Sequence, residues 1–195
     1  MVTTPRHRSK PSRFILYALA FILSFLFCLP WVSAKEKPKP KPQDWQINGI
    51  LAALDDGLDQ VKGYALKQLV EYNLKDLKSL VKKPEDIAEK AAEILKDEKV
   101  DASVRYNAAS ALGNFGDAAA KYVPDILNIL KDEKVPAYVR YNAASALGNF
   151  GDAAAKYVPD ILNILKDEKV PAYVRYNAAS ALGNFGDAAA KYVPD

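Results

Sequence analysis

Val139-Arg140-Tyr141-Asn142-Ala143-Ala144-Ser145-Ala146-Leu147-Gly148-Asn149-Phe150-Gly151 is the stretch on which the fold turns, because it is the middle one of three copies. Val104 to Tyr138 recurs without a substitution as Val139 to Tyr173, and a third copy begins at Val174. These starts set a period of 35 residues. Each period carries two stretches with helical spacing of apolar residues, the pattern of a stacked array. In such an array each unit touches only its neighbours, and the product is an extended binding surface.

In the second copy, helix A is predicted from about Ala137 to Gly148, with Val139, Ala143, Ala146 and Leu147 on one face. Gly148-Asn149-Phe150-Gly151 ends it with residues tolerant of positive φ. Asp152 is expected to cap helix B, whose apolar stripe is Ala154, Val158, Ile161, Leu162 and Leu165. Pro159 falls inside that stripe, so a kink is expected near Val158. Alanines on helix A allow close approach of neighbours, while Phe150 and helix B supply the bulk. No copy can bury its apolar face alone.

The net charge of +3 changes meaning once it is divided along the chain. Residues 1–34 hold Arg6, Arg8, Lys10 and Arg13 and no acid, which leaves 23 basic against 24 acidic residues in 35–195. So balanced a body lacks the concentrated basic face of a phosphate binder, and no nucleic-acid partner is expected. Half the residues are apolar, too many for a disordered chain.

Arg6 to Arg13, the apolar run 14–29 and Val32-Ser33-Ala34 together have the form of an export signal spanning 1–34. As a helix, the run would be about 24 Å long at 1.5 Å per residue. That is short of the roughly 30 Å hydrocarbon core. A periplasmic or secreted protein is therefore expected, the alternative being an uncleaved membrane tether through 14–29. Cys28 and His7, the only cysteine and histidine, both lie in the segment that cleavage would remove.

Residues 35–44 follow as a Lys/Pro linker, expected as an extended, solvated spacer, the alternative being a basic strap on an anionic surface. Residues 45–83 are expected to be a helical cap or degenerate repeat. Ile47, Ile50, Leu51 and Leu54 share a helix face, and Val61 to Leu69 can be laid over Val104 to Leu112. The period-35 repeats then run over 84–195, the last one incomplete. An end unit without a polar outer face invites self-association through the C-terminus.

Val104 to Gly116, followed by Val123 to Asp132, resembles a HEAT repeat of the bacterial phycobilisome-lyase HEAT-like group. The resemblance runs from about Asp86 to Asp195, and more weakly from Trp45. It implies an all-α fold, a right-handed α-solenoid of HEAT-like helix pairs forming an armadillo-like superhelix. It also implies a ladder between stacked repeats from Asp97 to Arg105, Asp132 to Arg140 and Asp167 to Arg175, with a structural role.

Two enzymatic branches share this fold. One, resembling deoxyhypusine hydroxylase, needs imidazole ligands, and no histidine follows His7. The other attaches linear tetrapyrroles to antenna proteins, cytosolic work that sits badly with an export signal. No cofactor, metal site or catalytic residue is expected, and Ser110, Ser145 and Ser180 are taken as packing residues. The function expected is an exported, non-enzymatic scaffold for protein partners, the alternative being a tetrapyrrole lyase-like enzyme or its chaperone subunit. The candidate partner surface is the polar stripe of helix B, Lys121, Asp125 and Asn128 with Lys156, Asp160 and Asn163, flanked by Tyr122 and Tyr157. Packing of those tyrosines between units is the competing expectation.

Overall fold

The computed structural model describes residues 39–72 and 84–192, within a unit running from residue 38 to 195. The export signal and the tether through 14–29 lie outside the described residues. Among the latter there is no strand, and no helix is long and apolar enough to cross a membrane. The elements are α1 (Asp44–Leu54), α2 (Asp59–Glu71), α3 (Pro84–Lys96), α4 (Ala102–Phe115), α5 (Val123–Lys131), α6 (Ala137–Asn149), α7 (Val158–Lys166), α8 (Ala172–Asn184) and α9 (Asp187–Ala190). Two 3-10 segments, Gly116–Tyr122 and Gly151–Tyr157, join α4 to α5 and α6 to α7.

These helices form two layers. The A helices α2, α4, α6 and α8 pack side by side, and each B helix, α1, α3, α5 or α7, leans on the A helix that follows it. Small residues make the A layer tight. A Cβ added at Gly113 would stand 2.9 Å from the Cα of Ala146, and one at Gly148 would stand equally close to the Cα of Ala181. The bulk comes from the B helices and the far side of the A helices: Ile126, Leu130, Leu147 and Ile161 are fully buried. Each such side chain contributes roughly 1.5–3 kcal/mol on burial.

In the repeats, α4 and α6 end where the chain must turn left-handed. Gly116 and Gly151 have φ of 54° and 52°, values that cost a residue with a Cβ far more than glycine. The chain does not pass straight into helix B. G-D-A-A-A-K-Y winds first as the 3-10 segment, and the B helix begins at Val123 or Val158. Two expectations are corrected by this. Pro159 lies in the first turn of α7, where a missing N–H leaves no gap, so it starts the helix instead of kinking it. Asp152 makes no side-chain cap and sits six residues before helix B.

The solvated spacer is corrected at its end. Pro42 is buried, and the Lys39 ammonium donates to the Val70 carbonyl at 2.7 Å and to Asn114 Oδ1 at 3.4 Å. The end of the Lys/Pro stretch is thus fastened to the A layer before α1 begins. In α1, Ile47, Ile50 and Leu54 are buried.

Candidate protein-binding surface

Asparagine ties the A helices together. Asn142 Nδ2 donates to the Tyr106 carbonyl at 2.7 Å and meets Ser110 Oγ, and Asn177 Nδ2 donates to the Tyr141 carbonyl at 3.0 Å. Both asparagines are buried. Asn107 makes the same contact to the Gly63 carbonyl at 3.3 Å, so Gly63 in α2 stands where Tyr106 stands in α4. Sequence reasoning missed this ladder. The signal was present, since Asn142 interrupts the apolar stripe between Val139 and Ala143 identically in each copy. A polar residue at such a position must be hydrogen-bonded.

Outside this ladder the A layer shows a face of unusual composition. In α6 the single charged residue is Arg140, and it is buried. The exposed residues are Tyr138, Ser145 and Asn149 on α6, and Ala172, Tyr173, Tyr176, Ala179, Ser180, Gly183 and Asn184 on α8. A quarter of the chain is charged, yet none of these exposed positions is, and the partly exposed Arg175 is the one charge on α8. Tyr138, Tyr173 and Tyr176 are 44%, 47% and 72% exposed. Tyr106 pairs with Tyr138 at 6.3 Å between ring centroids, and Tyr141 with Tyr173 at 6.1 Å. Each pair bridges two repeats and fixes its rings before any partner arrives, at about 0.5–1.5 kcal/mol. Tyrosine, serine and asparagine are the residues binding surfaces favour, combining rigid contact area with adaptable hydrogen bonds.

The B helices meet through charge. Lys96 pairs with Asp125 at 3.1 Å and Lys131 with Asp160 at 3.0 Å, each tie joining one B helix to the next. Half-exposed pairs of this kind contribute about 0–1 kcal/mol.

This geometry corrects the expected helix B stripe. Lys121 and Lys156 belong to the 3-10 segments, each ammonium lying over the ring of its neighbour, Tyr122 or Tyr157, at 4.8 and 5.0 Å. Tyr122 is buried and Tyr157 packs against the core, as the competing expectation had it. Asp125 and Asp160 are engaged in the lysine ties, which leaves Asn128 and Asn163 as the exposed helix B positions of the set.

The Asp–Arg ladder is also corrected. Arg105 and Arg140 are buried, but Nε of each donates to a carbonyl ending the preceding B helix, Leu95 at 2.9 Å and Leu130 at 2.8 Å. Arg175 Nε is buried without a partner. Asp97, Asp132 and Asp167 instead accept the backbone N–H of Lys99, Lys134 and Lys169, each at 2.9 Å. Among the described residues no aspartate–arginine ion pair forms. The loop backbone takes the carboxylates, and the helix C-termini take the guanidinium groups. In the first repeat, position 101 is aspartate where later copies have Pro136 and Pro171. Asp101 caps α4 by accepting the Ser103 N–H at 2.7 Å and the Ser103 hydroxyl, and these bonds hold its carboxyl below the usual aspartate range.

Two helical layers in register, with a tie per repeat in each, define an α-solenoid. The family model for HEAT repeats matches residues 88–158 and again 123–193, together more than half of the chain. The chain belongs to the HEAT-repeat proteins. No curated protein matches it.

Proposed function

We propose that this chain is an exported, non-enzymatic scaffold of the phycobilisome-lyase HEAT-like group, binding a polypeptide partner across the outer face of its A helices. HEAT repeats generally hold protein partners. The observation that carries this reading is the exposed pair Tyr138 and Tyr173, one repeat apart on a face whose exposed positions carry no charge, with Tyr176 exposed beside Tyr173. A face that repeats without change suits a partner that itself repeats, because several weak contacts then add through effective concentration. Export rests on the form of residues 1–34.

The test replaces Tyr138, Tyr173 and Tyr176 together by serine, with Asn128→Glu plus Asn163→Glu as the B-side comparison. Captured proteins from the cell envelope fraction are then quantified against the parent chain. The reading expects the tyrosine variant to melt within a few degrees of the parent and to lose its specific partner, while the B-side variant keeps it. Retention by the tyrosine variant and loss by the B-side variant would move the surface to the B layer. Recovery of the unprocessed chain from the cytosol alone would remove export.

A further inference from the structure

The loops leading into successive A helices leave a cleft between them, and it recurs one repeat on. The first, about 290 Å³, is lined by Glu98, Arg105, Asp132 and Lys134 among others. The second, about 380 Å³, is lined by Glu133, Lys134, Pro136, Arg140, Lys169 and Pro171. A single water occupies about 30 Å³, so neither space is a one-water gap. The second cleft has three cationic side chains in its wall against one carboxylate.

Arg140 is 4% exposed, and its guanidinium is only partly satisfied. Nε is engaged by the Leu130 carbonyl, while Nη2 is buried without a partner. A buried cation needs a counter-charge or a full set of hydrogen bonds. The aspartates of the flanking loops do not supply one, since Asp132 and Asp167 accept loop N–H groups and form no ion pair with Arg140. Lys134 and Lys169 are exposed at the rim. The planar fork of arginine matches a carboxylate, and rim lysines would guide one in.

We infer that the Arg140 cleft is a carboxylate subsite that takes an acidic side chain of a partner polypeptide, with the Arg105 cleft as its weaker copy one repeat earlier. The first cleft already holds Asp132 in its wall, which offsets the charge there. The inference is independent of the tyrosine face, although Ala137 in the cleft wall directly precedes Tyr138 and one partner can use both. Successive A helices lie roughly 8–10 Å apart. An extended acidic segment, at about 3.3 Å per residue, would therefore reach both clefts with acids three residues apart.

Fluorescently labelled hexaglutamate, hexaglutamine and inorganic phosphate are titrated against the full chain at low ionic strength. Hexaglutamate should bind and hexaglutamine should not, and the Arg140 side-chain N–H resonance should shift on binding. Lys134→Glu plus Lys169→Glu alters exposed positions and keeps the fold, and should weaken hexaglutamate about tenfold or more. Arg140→Gln should abolish the binding, and the rim variant keeps the test valid if Arg140→Gln fails to fold. Replacing Tyr138, Tyr173 and Tyr176 should leave it unchanged, so failure of the tyrosine reading and of this one are told apart. Equal binding by the rim variant with an unmoved Arg140 resonance would overturn the subsite, leaving trapped water or Asp167 as the arginine's partner. Displacement of hexaglutamate by equimolar phosphate would overturn the carboxylate assignment.

Discussion

Asn142 reaches across to the A helix of the preceding repeat and donates to the carbonyl of Tyr106 at 2.7 Å. This is a side chain, 5% exposed, closing a bond on a helix backbone 36 residues away. Removing one partner of a buried bond leaves the other unsatisfied, at about 1–3 kcal/mol. Asn142→Ala is expected to lose that much stability in urea denaturation at neutral pH. Asn107→Ala should lose less, because its bond to Gly63 is longer, at 3.3 Å, and Asn107 is less buried than Asn142. Equal losses at the two positions would remove the link between bond geometry and stability in this layer.

Gly148 and Gly183 are the same residue of the repeat in opposite surroundings. A methyl at Gly148 would press on the Ala181 backbone, whereas one at Gly183 meets open space. Gly148→Ala is therefore expected to destabilise by about 1–3 kcal/mol through overpacking. Gly183→Ala should stabilise a monomeric chain by up to about 1 kcal/mol, the helix-propensity gain. Thermal melts paired with sedimentation velocity check both. If Gly183→Ala destabilises and lowers the sedimentation coefficient, a second copy covers α8.

The architecture was legible because period and helical spacing are both written in the chain: Val139, Ala143, Ala146 and Leu147 are all buried on one side of α6. The start of helix B was not. Its apolar register runs unbroken from Ala154 through Val158, and 3-10 and α windings cannot be told apart over so few residues. The ladder was misread for a different reason. Asp132 and Arg140 flank one loop, and spacing alone does not reveal that the backbone satisfies each of them first. The exposed tyrosines could not be picked out from the sequence, because Tyr122, Tyr138 and Tyr141 all recur at the same period. Which of them stays exposed depends on where the neighbouring repeat sits, and periodicity is silent on that.

The relation of Asp132 to Arg140 is open to a double-mutant cycle. Arg140→Ala loses a charge-assisted bond to the Leu130 carbonyl, and about 1.5–3 kcal/mol is expected. Asp132→Asn keeps a side-chain oxygen for the Lys134 N–H and should be close to neutral. With no ion pair between them, the coupling energy should stay below about 0.5 kcal/mol. A coupling of several times that value would restore the aspartate–arginine ladder.

Asp101 gives the first repeat an acid-sensitive cap that the later copies, with Pro136 and Pro171, do not have. The Ser103 hydroxyl and N–H hold its carboxyl below the usual range in the folded chain. A folded-state pKa lower than the unfolded one means that the unfolded chain binds the proton more readily. The contribution is therefore complete above the ordinary aspartate pKa, and it is lost as pH falls from there through the lower folded value. Asn is as good an N-cap as Asp and does not titrate in this range, so Asp101→Asn should match the parent at neutral pH. In urea melts stepped down through the acid range, the parent should lose more stability than Asp101→Asn over that window. Parallel pH curves for the two chains would show that the cap is not the acid-sensitive element.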